Sequence, residues 1–232
     1  MQKIEYKESP SPHVVIENFM PIPAARACLK EAQWLQPVYE PAMIGGTPKD
    51  SDGCEECEAL TESIQLSTRK NEVVYVDEYY KDRRFKSDIL SQLTTALMSE
   101  VFIDTFKTLP HMFPIVAQTT HMQSVLSSYG MCDFYGWHTD VVPEKMQERI
   151  ITCVVHWNTE PQKFTGGELV LTGETIKDQL AYKPVHNTAI FFQSNQCVHG
   201  VNETQHEGTF EDNRFSINLW LGFESPDSFK YR

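Results

Sequence analysis

The chain has 232 residues, 41% of them apolar and 22% charged, which is a globular balance rather than a disordered or fibrous one. Its 20 Lys and Arg against 32 Asp and Glu leave a net charge of −12, a surface that disfavours bulk nucleic-acid or anionic-membrane binding. No run reaches the roughly 18 apolar residues of a membrane helix, and the charged start Met1-Gln-Lys-Ile-Glu-Tyr-Lys-Glu is unlike a signal peptide, so the expectation is one cytoplasmic domain over 1–232 with no membrane partner.

Residues 13–19 read as a short strand. Pro21 and Pro23 then punctuate the start of a helix that carries Ala25, Cys28, Leu29, Ala32 and Leu35 on one face. Residues 40–58 hold Gly45, Gly46, Pro48, Gly53 and six acids, and read as a mobile loop. Within it Cys54 and Cys57 form a lone C-x-x-C. A zinc site would need a second ligand pair, and none is visible. A thiol-redox role would need a βαβ setting that this stretch lacks.

Segment 68–86 mixes Arg69, Lys70, Arg83 and Arg84 with Tyr75, Tyr79, Tyr80 and Phe85. It reads either as the border of a binding site or as an amphipathic strand and solvated turn. A second helix is expected from Ser87, its N-cap, with Ile89, Leu93, Leu97 and Val101 as the buried stripe. After Pro114 the texture changes. Residues 115–128, 150–158, 168–172, 188–193 and 214–223 are rich in Val, Ile, Thr and aromatics and are separated by turn signals. Helices first and strands later give an α+β, mainly β fold. Residues 1–114 would support a β-sandwich or jelly-roll core at 115–223, with loop 40–58, segment 68–86 and stretch 141–149 bordering its mouth.

The sharpest chemical signal is Trp137-His138-Thr139-Asp140. On a strand, His138 and Asp140 share a face, so one metal ion can take both. His199 stands out among the eight histidines because it follows the strand-like Ile190-Phe-Phe and precedes Gly200. Two His and one Asp form the facial triad of non-haem Fe(II) oxygenases, which leaves three coordination positions open. The plainer alternative has His199 capping a turn and His138 pairing structurally with Asp140. Arg214 and Ser216 share a face of a later strand, and an Arg fork beside a hydroxyl is a receptor for a carboxylate. The alternative there is a structural ion pair with Glu211 or Asp212.

Several ordered blocks resemble the Fe(II)/2-oxoglutarate-dependent dioxygenases of the prolyl 4-hydroxylase-like branch. They are Tyr129 with Trp137-His138-Thr139-Asp140, Arg149 through Asn158, Gly166-Gly167-Glu168-Leu169, Pro184 through Phe192 with His199-Gly200-Val201, and Arg214 through Trp220. The match spans about 123–223, and His13–Leu35 resembles the branch more weakly. The resemblance implies a double-stranded β-helix, of the jelly-roll or cupin type, with supporting N-terminal helices. It implies iron on His138, Asp140 and His199, and the distal carboxylate of 2-oxoglutarate on Arg214. Ser216 and Tyr129 would be supporting donors. His156 falls where many relatives carry a Tyr that contacts the cosubstrate, and it is either a donor to that carboxylate or a buried His satisfied by its neighbours.

Implied too are O2 as oxidant, ascorbate as an accessory reductant, succinate and CO2 as coproducts, and hydroxylation of a peptide or small-molecule substrate. Asp140 favours hydroxylation over halogenation, because the related halogenases lack this carboxylate. Collagen-type relatives usually carry Lys where this chain has Arg214, which weakens collagen as a substrate. Two other functions fit the residues. One is a cupin-like metal enzyme that does not use 2-oxoglutarate, and the other is a non-catalytic β-barrel binding module. Trp137 and Tyr135, beside the metal strand, either touch substrate or pack in the core.

Overall fold

The computed structural model describes residues 2–43, 68–84, 86–141, 148–175 and 177–224. The expectations for 44–58 with Cys54 and Cys57, for Phe85 and for 142–147 lie outside the described residues.

The first strands are β1 (Lys3–Lys7), β2 (His13–Glu17), β3 (Glu40–Pro41), β4 (Arg69–Lys70) and β5 (Glu72–Tyr75). The later ones are β6 (His121–Tyr129), β7 (Phe134–His138), β8 (Ile151–Trp157), β9 (Thr165–Gly166), β10 (Leu169–Thr172), β11 (Gln179–Tyr182), β12 (Thr188–Gln193), β13 (His199–Val201), β14 (Thr204–Gln205) and β15 (Arg214–Gly222). They pair antiparallel in two main sheets, ordered β1-β2-β12-β8-β15-β6-β5-β3 and β11-β10-β13-β7-β4, with β14-β9 as a short extra ladder. This is the double-stranded β-helix that the resemblance implies.

Side-chain alternation divides the large sheet into two faces. On β8, β12 and β15 one set (Cys153, Val155, Trp157, Ala189, Phe191, Phe215, Ile217, Leu219) packs on the helices. The opposite set (Val154, Ile190, Phe192) meets Leu169, Leu171 and Val201 of the second sheet. The polar residues of that inward set, among them Thr152, His156, Arg214 and Ser216, are the candidates for chemistry.

Three helices support the outer face: α1 (Ile22–Trp34), α3 (Asp88–Leu97) and α4 (Glu100–Thr108), with the short α2 (Val76–Tyr80) following β5. In α1 both prolines precede or enter the first turn, where a missing N–H costs nothing. Ser87 Oγ caps α3 by accepting from Leu90 N–H at 3.0 Å. Glu31 of α1 accepts from Ile89 N–H and Ser87 Oγ, both at 2.7 Å, and so ties the two helices.

Two expectations need correction. The stripe from Ile89 to Val101 is not one helix. α3 ends at Leu97, Ser99 Oγ caps α4 by accepting from Phe102 N–H, and Val101 is 66% exposed while Phe102 and Phe106 take the core places. The strand expected at 115–128 begins only at His121. Phe113–Gln118 forms a 3₁₀ helix entered through Pro114, and its buried Phe113 and Val116 are three residues apart rather than two.

Candidate metal centre and carboxylate pocket

β7 and β13 are antiparallel neighbours, and His138 pairs directly with His199 across them. Directly opposed residues on one face bring their side chains together, and the imidazole centroids lie 4.2 Å apart. The next pair is Val201 with Tyr135, so three steps on β7 match two on β13. That extra residue is a β-bulge. It places Tyr135 and His138 on the same side, where their rings stack at 3.6 Å and 17°. Strict alternation would have put them on opposite faces.

β7 ends at His138, so Asp140 is not in the strand as expected. Its N–H donates to Ser194 O at 3.2 Å, which turns the carboxylate back toward the histidines. Asp140 Oδ1 lies 3.6 Å from His138 Nε2, and Oδ2 lies 3.5 Å from His199 Nε2. One ligand atom from each of the three residues falls within a 4.8 Å group.

Each histidine has its other nitrogen fixed. His138 Nδ1 faces Gly136 O at 2.9 Å and His199 Nδ1 faces Cys197 O at 3.1 Å. A carbonyl only accepts, so each Nδ1 carries a proton, and Nε2 is the nitrogen turned toward Asp140 and the one a metal would take. Burial and neighbouring His138 hold His199 down to about 4, against the pull of Asp140. Burial alone would raise Asp140. His199, His138 and a hydrogen bond from Thr152 outweigh it, and the carboxyl stays well below the usual range. Thr152 Oγ1 donates to Asp140 Oδ2 at 2.7 Å and accepts from Ser194 Oγ at 2.8 Å. Two imidazole Nε2 atoms and an ionised carboxylate are a donor set that suits a ferrous ion.

The second feature is Arg214, fully buried on β15. Its Nε donates to Gly167 O at 2.7 Å, and Nη1 donates to Ser216 Oγ at 2.9 Å. Its guanidinium lies over the Tyr129 ring, 4.7 Å from the centroid, and Nη2 points to His156 Nδ1 at 3.5 Å. No carboxylate among the described residues pairs with it. Glu211 and Asp212, the alternative partners, instead serve Thr209. Burial lowers Arg214 only to about 10, so it remains a cation at neutral pH.

The surroundings of Arg214 are built for an anion. Burial and the adjacent guanidinium hold His156 well below its ordinary value, so it is neutral. With Nδ1 accepting, its Nε2 carries the proton, and that atom has no partner among the described residues. Buried Ser127 Oγ and Thr204 Oγ1 have none either. Ser127 pairs in register with Ser216, and a Cβ on Gly167 would meet both Thr204 Oγ1 and Arg214 Cδ. An unpaired buried guanidinium ringed by unsatisfied donors is costly without an anion. A carboxylate satisfies the set. Tyr129 links the two features, because Arg214 and Asp140 are both close enough to act on its phenol.

Gly166 and Gly167 hold φ values of +73° and +70°. At Gly167 a Cβ would come within 2.8 Å of Arg214 Cδ. The turn therefore requires glycine, so that a backbone carbonyl can hold the guanidinium.

The structure thus brings together His138, Asp140 and His199, and separately Arg214, Ser216, Tyr129 and His156. Trp137 lies 42% exposed. Sequence reasoning gave no role to Arg149, which donates from Nη1 to Asp140 O at 3.1 Å and from Nε to Gln123 at 3.0 Å, with its guanidinium 3.7 Å over Trp220. Nor did it single out Thr152 or Gln123. The fold alone brings their partners to them, and no local spacing marks them.

Residues 124–222 match the model of the 2OG-Fe(II) oxygenase superfamily. A PKHD-type hydroxylase of Synechocystis, itself uncharacterised, is 33% identical over 97 residues, 38% of this chain and 32% of that protein. The chain thus spans about a third of that relative's length. Among solved structures the fold recurs in a Pseudomonas putida prolyl-4-hydroxylase, at 14% identity and TM-score 0.60 over 92% of this chain and 93% of the other. A Trichoplax adhaerens prolyl hydroxylase has 14% identity and TM-score 0.62, over 90% and 83%. Among the described residues no helix is long and apolar enough to cross a membrane.

Proposed function

We propose that the chain is an Fe(II)- and 2-oxoglutarate-dependent oxygenase that hydroxylates a peptide or small-molecule substrate. The observation that carries this reading is the convergence of two imidazole nitrogens and one carboxylate, together with Arg214, a cation buried without a carboxylate partner among the described residues. In charge terms, a ferrous ion offset by Asp140 leaves one positive charge, and Arg214 adds a second. 2-Oxoglutarate carries two negative charges and closes that balance.

His138, Asp140 and His199 would hold the metal on one face and leave the opposite positions open. When bound, the iron supplies activation of O2 coupled to decarboxylation of 2-oxoglutarate. The residues supply the positioning. Arg214 and the Ser216 hydroxyl it binds would hold the distal carboxylate, with His156 Nε2–H and Tyr129 as further donors. Thr152 keeps Asp140 ionised and oriented. In the net reaction a substrate C–H becomes C–OH. One oxygen of O2 enters the substrate and the other enters succinate, with CO2 released.

Prolyl hydroxylases are among the solved structures that share the fold, which makes a prolyl peptide the first substrate to test. Free amino acids follow. The test is succinate formation from 2-oxoglutarate by purified protein. Formation that requires Fe(II) and O2 and is lost in Asp140→Ala supports the reading. Metal-loaded protein that makes no succinate with any candidate and shows no affinity for 2-oxoglutarate contradicts it. It would favour the cupin-like alternative.

A further inference from the structure

We infer that Arg69 and Tyr135 form a positioning stack that sets the ring plane of His138, built on the bulge in β7. The inference rests on the reading of His138 as a metal ligand. Arg69 of β4 is the register partner of Tyr135. Its guanidinium lies 4.2 Å from the centroid of the Tyr135 ring. The Tyr135 ring in turn stacks on His138 at 3.6 Å. One face of a phenol ring can take one planar group at such distances, so the cation and the imidazole occupy opposite faces. The order is guanidinium, phenol, imidazole.

Both ends of the stack are fixed by hydrogen bonds. Arg69 Nε donates to Asn71 Oδ1 at 2.7 Å. His138 Nδ1 donates to Gly136 O at 2.9 Å, inside the bulge itself. Gly136 has Thr68 O only 3.1 Å from where a Cβ would stand, so β4 lies tightly against the bulged strand. Without the extra residue in β7, Tyr135 would face away from His138. The bulge therefore both turns Tyr135 inward and supplies the carbonyl that fixes the tautomer of His138, a re-aiming role bulges often have beside active sites. The Nδ1 bond leaves rotation about the line from that nitrogen across the ring, and a flat neighbour removes it. His199 has its own packing partner in Phe192, at 4.6 Å. His138, the less buried of the two, depends on Tyr135.

The test is Co(II) titration of the purified protein without 2-oxoglutarate, followed by the visible ligand-field bands, alongside thermal melting of the metal-free protein. The variants are Tyr135→Leu, Tyr135→Phe, Arg69→Met and Arg69→Lys. Positioning groups behind metal ligands typically contribute about 10- to 100-fold in affinity. Tyr135→Leu is expected to weaken Co(II) binding by about 10-fold or more and to change the band envelope. Tyr135→Phe should keep both, because the ring face and not the hydroxyl acts on His138. Arg69→Met should give a smaller loss, in part restored by Arg69→Lys.

The inference is overturned if Tyr135→Leu binds Co(II) as wild type does, or if Tyr135→Phe is as impaired as Tyr135→Leu. It is overturned equally if the metal-free melting temperatures fall while affinity and spectrum hold, since the stack would then be packing alone. Wild-type protein that binds Co(II) but not 2-oxoglutarate would sink the oxygenase reading and leave the stack standing. Wild-type protein that binds no Co(II) would remove both.

Discussion

Arg214→Met separates a cosubstrate anchor from a structural arginine. The substitution keeps an unbranched chain and removes the guanidinium. In the free protein the change removes a buried charge that no carboxylate neutralises among the described residues, which is favourable. It also orphans Gly167 O and Ser216 Oγ, the acceptors of the 2.7 and 2.9 Å bonds, at about 1–3 kcal/mol for a buried group. The two effects oppose, so the melting temperature of the free protein should move by no more than about 4 °C, the shift roughly 1 kcal/mol gives in a chain this size.

With 2-oxoglutarate bound, the loss is one-sided. Breaking a buried, hydrogen-bonded charge pair by removing one partner costs about 3–5 kcal/mol. At 1.4 kcal/mol per decade that is a loss of about 100- to 4,000-fold in affinity. The assay is calorimetric titration of 2-oxoglutarate into Mn(II)-loaded wild type and variant, with melting curves of both. Near-normal affinity, or a free protein that unfolds many degrees earlier, would refute the reasoning and make Arg214 an ordinary structural cation.

Other consequences are open to direct measurement. Thr152→Val removes the 2.7 Å donor to Asp140 and should weaken metal binding by about 10-fold, read by Co(II) titration; unchanged affinity would mean the carboxylate is positioned by its backbone alone. Gly167→Ala forces a Cβ at φ +70° against Arg214 Cδ, and should cost about 1–3 kcal/mol in denaturant melts while weakening 2-oxoglutarate binding. Phe102→Ala should cost about 3–5 kcal/mol and Val101→Ser under about 0.5; reversed costs in urea would contradict the break between α3 and α4.

A pH dependence also follows. The folded state lowers His199 from 6.5 to about 4, so between these values the unfolded chain binds the proton and the folded chain does not. Stability of the metal-free protein should therefore be full above pH 6.5 and fall as pH drops toward 4. His199→Gln should flatten that part of the profile in melts across the range.

Much of the fold was legible because its signals are local. The alternation in β8, β12 and β15 is imposed by two apolar faces, and the ordered blocks from Tyr129 to Trp220 carry the site. The helix break was not legible. Ile89, Leu93, Leu97 and Val101 keep a spacing that one helix or two could satisfy, and only the Ser99 cap with the burial of Phe102 decides between them. The triad was readable from residue types, although the stated reason for His138 and Asp140 sharing a face was incomplete. The strand ends at His138, and Ser194 turns Asp140 back. The groups behind the candidate ligands, Thr152, Arg149 and the Arg69–Tyr135 stack, depend on contacts that only the fold makes. A bulge that flips Tyr135 to the inner face has no mark in the local pattern.

The most direct test of the central claim is an anaerobic titration of the purified protein with Fe(II) and 2-oxoglutarate, followed by the visible metal-to-ligand charge-transfer absorption. Asp140→Ala and Arg214→Met are run in parallel. A saturable band in wild type, absent in Asp140→Ala and shifted to far higher 2-oxoglutarate concentration in Arg214→Met, is the predicted result. Folded, iron-loaded wild type that develops no band would contradict the account.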